Sequence, residues 1–258
     1  MRKTFRNKNN KLYWHDRWAN IATDVPMSNK NIYPLKYSNL VIKNKNQKIL
    51  EAGCGAGRIL KYYHKKDYNI IGIDFIKLAI QKIKKQDPTL RVKNEDILNL
   101  SFRNNYFDVI LAFGLFHNFF GRKLTKSIKE SHRVLKKGGS LCASFRADNI
   151  QQYLIDFFSK NKTNNIKKFH KLNLKKKEFR ELIENSGFEV KNIYNVQNMP
   201  FLYKFSFFRE KNQKIFDEKK SRSKGYKLSF FGNIIQKFLI KFFPDSFCNS
   251  FIIIAIKK

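Results

Sequence analysis

The sequence predicts an α/β fold, in which an open and mostly parallel sheet is covered by helices on both faces. Between residues 47 and 146, short apolar runs alternate with longer segments of helical periodicity. The first run ends in a glycine-rich loop, ILEAGCGAGRIL at residues 49–60. A loop of this kind at the carboxyl end of a strand is where parallel sheets bind ligands. The 258 residues, 42% of them hydrophobic, suffice for a large core.

Five runs in this region are predicted strands, because they are short, apolar and bounded by turn residues. They span residues 48–52, 69–75, 90–96, 107–116 and 140–146. Between them, apolar residues recur at helical spacing, which predicts helices over residues 56–66, 76–86 and 123–139. Strands that alternate with helices indicate a parallel sheet.

The alternation is weaker after Arg146. The predicted elements there are helices and strands separated by a polar loop, namely a helix over 149–158, the loop over 161–168, a helix over 176–187, and strands over 188–196 and 250–258.

These elements predict three parts of the chain. Residues 1–44 are an N-terminal helical lid or anchor. Residues 45–196 together with 250–258 are the core. Residues 197–249, which are rich in Phe and Lys, are an inserted α-helical cap between the last two strands.

The glycine loop indicates a bound nucleoside. Glycines let a backbone approach a ligand closely, and the helix that follows offers free N–H groups. The second strand ends in Asp74, whose carboxylate can accept hydrogen bonds from ribose hydroxyls. The spacing Gly53-x-Gly55-x-Gly57 lacks the G-x-G-x-x-G of dinucleotide enzymes, and no Gly-Lys-Ser/Thr of a P-loop follows. A pyrophosphate is therefore not implied.

Four motifs together resemble the class I S-adenosylmethionine-dependent methyltransferases, and most closely their type 11 group. They are E-x-G-x-G-x-G in ILEAGCGAG, GIDF at the end of the second strand, EDILNLSFRNNYFDVILAFGLFHN around the fourth, and HRVLKKGGSLCASF. The resemblance covers about residues 45–146, with weaker agreement to 196 and at the final strand. It implies S-adenosylmethionine as the cofactor.

The resemblance also assigns the cofactor-binding residues. It implies that the methionine end is lined by Glu51, Gly53, Gly55 and Gly57, that Asp74 binds the ribose hydroxyls, that Asp96 and the backbone of Ile97 lie at the adenine edge, and that Phe113 or Leu115 lies near the sulfonium.

The resemblance further implies a Rossmann-like sheet of seven strands in the order 3-2-1-4-5-7-6, with strand seven antiparallel. Residues 251–256 are that strand. The family often joins its last two strands by a short turn. The insertion of residues 197–249 departs from this pattern and is the leading candidate for the substrate determinant.

The sequence assigns no catalytic residue and no metal site. Transfer of a sulfonium methyl is an in-line displacement, which needs positioning more than a strong base. His117, just past the fourth strand, is either a general base or a hydrogen-bonded loop histidine. The three cysteines show no metal-binding spacing.

Two segments outside the core have two interpretations each. Trp14 and Trp18 lie four residues apart, on one helix face, and form either an anchor on the core or a lid over the cofactor. In the cap, an apolar stripe from Phe231 to Phe242 is interrupted by Lys237 and Lys241. Such a stripe is more often a buried helix face, and the alternative is contact with a membrane surface through residues 227–243.

The acceptor is not fixed by the sequence. The net charge of +33 would suit a polyanion, but it is spread along the chain, and A/T-rich codons explain much of the Lys. We therefore expect a small-molecule, glycan or lipid-linked acceptor, with RNA as the alternative. A nicotinamide oxidoreductase and a non-catalytic S-adenosylmethionine-binding protein are the alternatives from other classes.

The location of the protein is also an expectation. The N-terminal residues lack the apolar core of a signal peptide, and no apolar run approaches the ~20 residues of a membrane helix. These features favour a cytoplasmic protein, with peripheral contact to the inner face of the membrane left open. The sequence makes no prediction of the oligomeric state.

Overall fold

The fold was analysed in a computed structural model, which describes residues 1–21, 26–158, 168–197, 199–215 and 225–258. Its centre is a nine-stranded sheet. The strands are β1 (Arg2–Arg6), β2 (Ile49–Ala52), β3 (Ile70–Asp74), β4 (Val92–Asn94), β5 (Phe107–Ala112), β6 (Leu135–Ala147), β7 (Lys168–Leu174), β8 (Phe188–Val196) and β9 (Ser250–Lys257).

Helices cover the sheet and its edges. The α-helices are α1 (Asn10–Asn20), α2 (Leu35–Val41), α3 (Arg58–His64), α4 (Lys77–Gln86), α5 (Gly121–Val134), α6 (Ile150–Phe158), α7 (Lys176–Glu184) and α8 (Phe230–Phe242). Among the described residues, none of these helices is both long and apolar enough to cross a membrane.

The seven predicted strands lie in the predicted order. Read across the sheet, they are β4, β3, β2, β5, β6, β9 and β8. The pairs among the first five are parallel, whereas β9 runs antiparallel to both β6 and β8. The expected α/β fold with an antiparallel last strand is therefore confirmed.

Two further strands extend this sheet from the carboxyl end of β6, on the side where β5 pairs with it. β7 pairs in parallel with the end of β6, through Arg146↔Asn173 and Ala147↔Leu174. β1 then pairs antiparallel with β7. The N-terminal segment, predicted to be helical, thus also contributes a strand. Its sequence RKTFR carries too few apolar residues to show strand periodicity, because this edge strand is only half-buried. Of the predicted polar loop, only Lys168 is described, and it begins β7.

The helix predicted over residues 123–139 ends earlier than expected. α5 ends at Val134, and Leu135 already pairs with Phe107 of β5 before a register shift. The Lys257 ammonium group donates hydrogen bonds to the carbonyls of His132 and Leu135, at 2.7 and 2.8 Å. The last turn of α5 is thus terminated by a residue of β9, which local sequence cannot indicate.

Both faces of the sheet are buried. On adjacent strands, Leu50 and Ile110 point into one core cluster, and Ile49 and Val109 into the other. This alternation requires strands that are apolar at nearly every position, as in β2 and β5. The rigid centre of the sheet fixes the carboxyl ends of β2, β3 and β5, and the candidate site lies at those ends.

The described part of the cap packs on a third and smaller cluster. Phe201, Leu202, Tyr203 and Leu228 form its buried centre. The apolar stripe of α8 is not its buried face, since Phe231 is 71% exposed and Phe238 is 53% exposed. The more common interpretation of the stripe is therefore wrong. The polar and small positions of α8 take the buried face instead.

Candidate cofactor and acceptor site

The glycine loop follows β2 in a conformation that only glycine adopts readily. Gly53, Gly55 and Gly57 have φ values of +73°, +53° and +79°. The N–H groups of Gly53 and Cys54 donate to the Ile73 carbonyl, at 2.8 and 2.9 Å. These bonds hold the loop against the end of β3.

All three glycines have a close neighbour at their α-carbons, and that of Gly53 is Leu115. A Cβ placed on Gly55 would lie 2.6 Å from Cη2 of the Trp18 indole. A Cβ on Gly57 would lie 3.2 Å from the Ile83 side chain. Gly55 therefore accommodates α1, whereas Gly57 permits close packing of α3 on α4 and does not line the cleft described below.

Glu51 carries a buried carboxyl group with unused hydrogen-bonding capacity. The residue is only 4% exposed, and its Oε2 has no partner among the described residues. Burial raises the pKa of Glu51 to about 8, although a backbone hydrogen bond from Leu60 and the charge of Arg58 lower it. The group is therefore suited to receive a cationic or hydrogen-bond-donating part of a ligand.

Asp74 is positioned directly beneath the loop. Its Oδ2 accepts the Gly55 N–H at 3.0 Å, and its Oδ1 accepts the Ile76 N–H at 2.9 Å. Burial raises the pKa of Asp74, and the two backbone hydrogen bonds oppose that shift. The carboxylate thus couples the end of β3 to the conformation of the glycine loop.

The other predicted residues lie on the same cleft. Asp96 is exposed there, and its Oδ1 accepts the Leu98 N–H at 2.9 Å. Ile97 is buried beside it. Leu115 contacts the glycine loop, since its Cδ1 would lie 3.1 Å from a Cβ on Gly53. The Phe113 ring meets the Tyr33 ring edge-on at 5.7 Å between centroids.

A single cleft of about 2510 Å³ joins these residues to the ends of β6 and β7. Small-molecule sites usually enclose about 300–1,000 Å³, so the cleft has room for a cofactor and a second sizeable group. Six of the seven predicted cofactor residues line it, all except Gly57. Its other end is lined by Arg146, Gln152 and Lys171.

The helix α1 forms one wall of this cleft. Its two tryptophans both line the cleft and stack on each other, with 5.6 Å between ring centroids. The Trp14 Nε1–H donates to Asn118 Oδ1 at 3.2 Å, and the Lys82 ammonium donates to the Trp18 carbonyl at 2.8 Å. No residue of α1 is fully buried. This geometry favours the lid over the anchor.

His117 is not part of the cleft wall. It lies in a short 3₁₀ turn, 8% exposed, with its ring 6.3 Å from that of Phe145. Burial, followed by the charges of Arg146 and Lys171, lowers the pKa of His117 well below its usual range. The neutral imidazole therefore has no access to an acceptor in this conformation, and the geometry does not support its role as a base.

The sequence did not single out four polar residues on the acceptor side. The Tyr33 hydroxyl lies 3.3 Å from Ser144 Oγ, which accepts the Gly114 N–H at 2.7 Å. Arg146 and Lys171 line the cleft, and neither side chain makes a hydrogen bond or ion pair with any described residue. Arg146 is the last residue of a predicted strand. This position was the one feature of the sequence that could have indicated that it lies at the site.

In the described ranges, no cluster of side chains is suited to metal binding or to thiol chemistry. No three His, Cys, Asp or Glu side chains come together there in a way that could hold a metal ion. Cys54, Cys142 and Cys248 are all free and buried. Burial raises the pKa of each thiol, which disfavours the reactive thiolate.

A comparison with protein families matches residues 50–143 to the family described as a methyltransferase domain. This range contains the glycine loop, Asp74, Asp96 and strands β3 to β5. Residues 50–143 belong to the class I S-adenosylmethionine-dependent methyltransferases. The cofactor of this family is S-adenosylmethionine.

Two curated relatives resemble the methyltransferase domain. A "Probable S-adenosylmethionine-dependent methyltransferase" of Mycolicibacterium smegmatis is 24% identical over 160 residues, which are 62% of this chain and 59% of the relative. The human "Probable tRNA methyltransferase 9B" is 33% identical over 94 residues, which are 36% of this chain and 20% of the relative. The chain thus spans less than two thirds of the length of these relatives.

The fold of the methyltransferase domain is also found in solved structures. A structure from Methanosarcina mazei, described as an S-adenosylmethionine-dependent methyltransferase, superposes with a TM-score of 0.58 at 20% identity. The superposition covers 88% of this chain and 98% of that one. At this identity the likeness concerns the fold alone.

Proposed function

We propose that this protein transfers a methyl group from S-adenosylmethionine to an acceptor bound at the β6–β7 end of the cleft. The observation that carries the proposal is the continuity of the cleft. It joins the buried, partly unpaired carboxyl group of Glu51 and the Asp74 carboxylate to the unpaired cations Arg146 and Lys171.

The residues at the glycine loop fit the cofactor. The free Oε2 of Glu51 suits a cationic ammonium group, and Asp74 offers acceptor lone pairs for hydroxyl groups. Asp96 supplies a polar surface and Ile97 an apolar surface for the adenine ring. When bound, S-adenosylmethionine supplies an electrophilic methyl group on its sulfonium.

The chain contributes positioning and exclusion of water. Displacement at the methyl carbon needs the acceptor atom in line with the carbon–sulfur bond. The indole of Trp18 over Gly55 and the aromatic pair Tyr33–Phe113 would enclose the reacting groups. Burial raises the pKa of Tyr33, so its hydroxyl stays neutral and serves as a hydrogen-bond donor rather than as a base. We assign no catalytic base.

The acceptor that this end of the cleft suits best carries an anionic group. Burial followed by the neighbouring Arg146 lowers the pKa of Lys171 to about 8, and the charge of Asp156 only partly opposes this shift. Two adjacent cations without a described partner would be stabilised by a phosphate or carboxylate. We therefore favour an anionic small-molecule, glycan or lipid-linked acceptor.

RNA is the second candidate acceptor. It is favoured by the relatives named tRNA methyltransferase 9B and by the net charge of +33. A backbone phosphate would also satisfy Arg146 and Lys171. The enclosure of the cleft by α1 favours the smaller acceptor, because a folded RNA would have to displace the lid.

The test is transfer of labelled methyl groups. Purified protein and methyl-labelled S-adenosylmethionine are mixed with a host extract separated into RNA, protein, lipid and small-molecule or glycan fractions. Label in the lipid or small-molecule fraction is expected. Label in RNA alone would replace the favoured acceptor with the second candidate. Cofactor binding without label in any fraction would support a non-catalytic S-adenosylmethionine-binding protein.

Variants at the two ends of the cleft separate the two parts of this proposal. The double variant Arg146→Met, Lys171→Met should lose at least tenfold in transfer while its cofactor affinity stays unchanged. The matched control is Lys84→Met, Lys85→Met on the exposed side of α4, which removes the same charge. Equal losses in both variants would contradict an anion site at Arg146 and Lys171.

A further inference from the structure

The cap helix α8 is oriented with its apolar side outward. Its buried residues are Gly232 and Gln236. Its exposed side, here called the α8 face, is formed by large apolar side chains that each expose at least two fifths of their surface, namely Phe230, Phe231, Ile234, Ile235, Phe238 and Phe242. An ordinary surface helix has the opposite arrangement.

Specific contacts hold this orientation. Gln236 Oε1 accepts the Leu202 N–H at 2.9 Å. A Cβ placed on Gly232 would lie 2.7 Å from the Phe208 carbonyl oxygen, so only glycine permits this approach. At the start of the helix, Ser229 Oγ accepts the Gly232 N–H at 3.2 Å. Rotation of α8 about its axis would break these contacts.

The apolar surface continues beyond the helix. Phe207 is 82% exposed in a neighbouring turn, and Phe243 is half-exposed at the end of α8. Large apolar side chains exposed together on one side of a helix indicate an interaction site.

The charged side chains of α8 itself are both basic. Lys237 and Lys241 of α8 are exposed, and the helix contains no acidic residue. Neither lysine forms an ion pair with a residue in the described ranges, while the Lys241 ammonium lies 5.5 Å from the Phe242 ring centroid. Lys211 and Lys214 are exposed on the preceding segment.

We propose that the α8 face docks on the surface of an anionic lipid bilayer. A helix in the membrane interface places aromatic and aliphatic side chains at the boundary of the acyl chains. Its lysines extend their alkyl stems along that layer and reach the lipid phosphates. A second copy of the chain fits less well, because pairing two α8 faces would bring Lys237 and Lys241 against the same lysines.

Vesicle binding tests this proposal without cofactor or acceptor, so its result is independent of methyl transfer. The full chain is floated with vesicles of phosphatidylcholine alone and of phosphatidylcholine with phosphatidylglycerol. We expect flotation with the anionic vesicles only. The variant Phe230→Ser, Phe231→Ser, Phe238→Ser should bind at least tenfold more weakly. Its side chains lie outside the core, so thermal unfolding should stay near that of the wild type.

A charge-matched pair of variants tests whether net charge alone attracts the protein to anionic vesicles. Lys237→Glu, Lys241→Glu removes the lysines of α8, and Lys84→Glu, Lys85→Glu makes the same charge change on α4. The first should bind anionic vesicles much more weakly than the second. Equal losses of binding in the two variants would overturn the proposal. It would also be overturned if light scattering showed that the wild type self-associates and the three serine substitutions abolished this self-association without changing flotation.

Discussion

Glu51 and Asp74 are buried carboxyl groups at the ends of adjacent parallel strands, and the protein treats them differently. Asp74 has both oxygens engaged by backbone N–H groups, whereas one oxygen of Glu51 has no partner among the described residues. An unsatisfied buried acceptor is costly. The contrast indicates that Glu51 is completed by a ligand, while Asp74 also organises the loop.

Glu51 should release a proton when the cofactor binds. Its pKa is about 8 in the free protein because of burial, and a cation placed beside it would favour the carboxylate. Calorimetric titration at pH 7 in buffers of different ionisation enthalpy should show release of about one proton per cofactor bound. Glu51→Gln should bind without this release. The same proton count in both proteins would contradict the assignment.

Glu51 should also make the stability of the free protein depend on pH. Its folded pKa of about 8 lies above the ordinary value of 4.5, so the folded state holds an extra proton between these values and the free energy of unfolding falls as the pH rises through this window. As the pH rises from about 5 to about 8, the free energy of unfolding of Glu51→Gln should increase by roughly 2–4 kcal/mol relative to that of the wild type. Urea unfolding at both pH values measures this, with Glu181→Gln on exposed α7 as the control.

Asp74→Ala should weaken cofactor affinity by about 1–3 kcal/mol, through the loss of charge-assisted hydrogen bonds. Asp74→Asn should lose less, because its amide oxygen keeps one acceptor for the Gly55 N–H. Calorimetric titration gives both affinities. Unchanged affinity in Asp74→Ala would show that the ribose lies elsewhere.

At the scale of elements, helix α1 lies directly against the glycine loop. α1 has no fully buried residue, yet its Trp18 lies against the α-carbon of Gly55. A helix held by few buried contacts can open at low cost. Its closure over the loop would exclude water from the bound cofactor.

Two glycine substitutions can separate backbone strain from contact with the lid. Gly55 and Gly138 both have positive φ, but a Cβ on Gly138 would meet no atom within 4 Å. Gly138→Ala should cost about 1–2 kcal/mol in stability, from strain alone. Gly55→Ala should cost more and should also displace Trp18, visible in the tryptophan fluorescence. In a Trp18→Ala background, the extra cost of Gly55→Ala should disappear; if it persists, the lid contact is not its cause.

At the scale of the whole molecule, the net charge of +33 has to be distinguished from a specific site. Charge spread over the surface gives salt-sensitive attraction to any polyanion. The cations of the cleft wall lie in the same cleft as the candidate cofactor site, and those of α8 lie beside exposed apolar side chains, so we propose a different ligand for each set. Binding to RNA would therefore not by itself identify RNA as the acceptor.

We expect RNA binding to be independent of sequence and to fall steeply with salt. Contacts to 6–10 phosphates lose about 10³–10⁵ in affinity between 50 and 200 mM salt. Fluorescence anisotropy with two unrelated RNA sequences across this range measures the effect. A salt-resistant component for one sequence would raise RNA above the anionic small-molecule or lipid-linked acceptor.

Much of the central fold could be predicted from the sequence. β2, β3 and β5 are apolar on both faces, and the segments that cross between them have helical periodicity. The local sequence was therefore sufficient to distinguish these strands from these helices. The order of the seven strands followed from the resemblance carried by the glycine loop and three further motifs. Strand β1 could not be predicted, because the edge strand RKTFR shows no apolar pattern, and β7 was not predicted either.

The candidate site was predicted on its cofactor side and missed on its acceptor side. Glu51, Asp74 and Asp96 end strands or follow them, and the carboxyl ends of parallel strands meet at one edge of a sheet. Their binding roles stay predictions until the titrations above are made. Lys171 comes to the cleft only because β7 pairs with β6, a contact between distant parts of the chain that no local pattern records.

The sequence by itself thus predicted the central strands and the glycine loop, because periodicity and glycine spacing are local properties, and the resemblance carried by its four motifs implied the strand order and the class of cofactor. The tertiary structure decided three further points. It put Trp18 over Gly55, brought Arg146 and Lys171 together without a described partner, and turned the apolar side of α8 outward. Each depends on which elements pack together, and an apolar stripe in a sequence does not specify whether protein or another apolar phase will cover it.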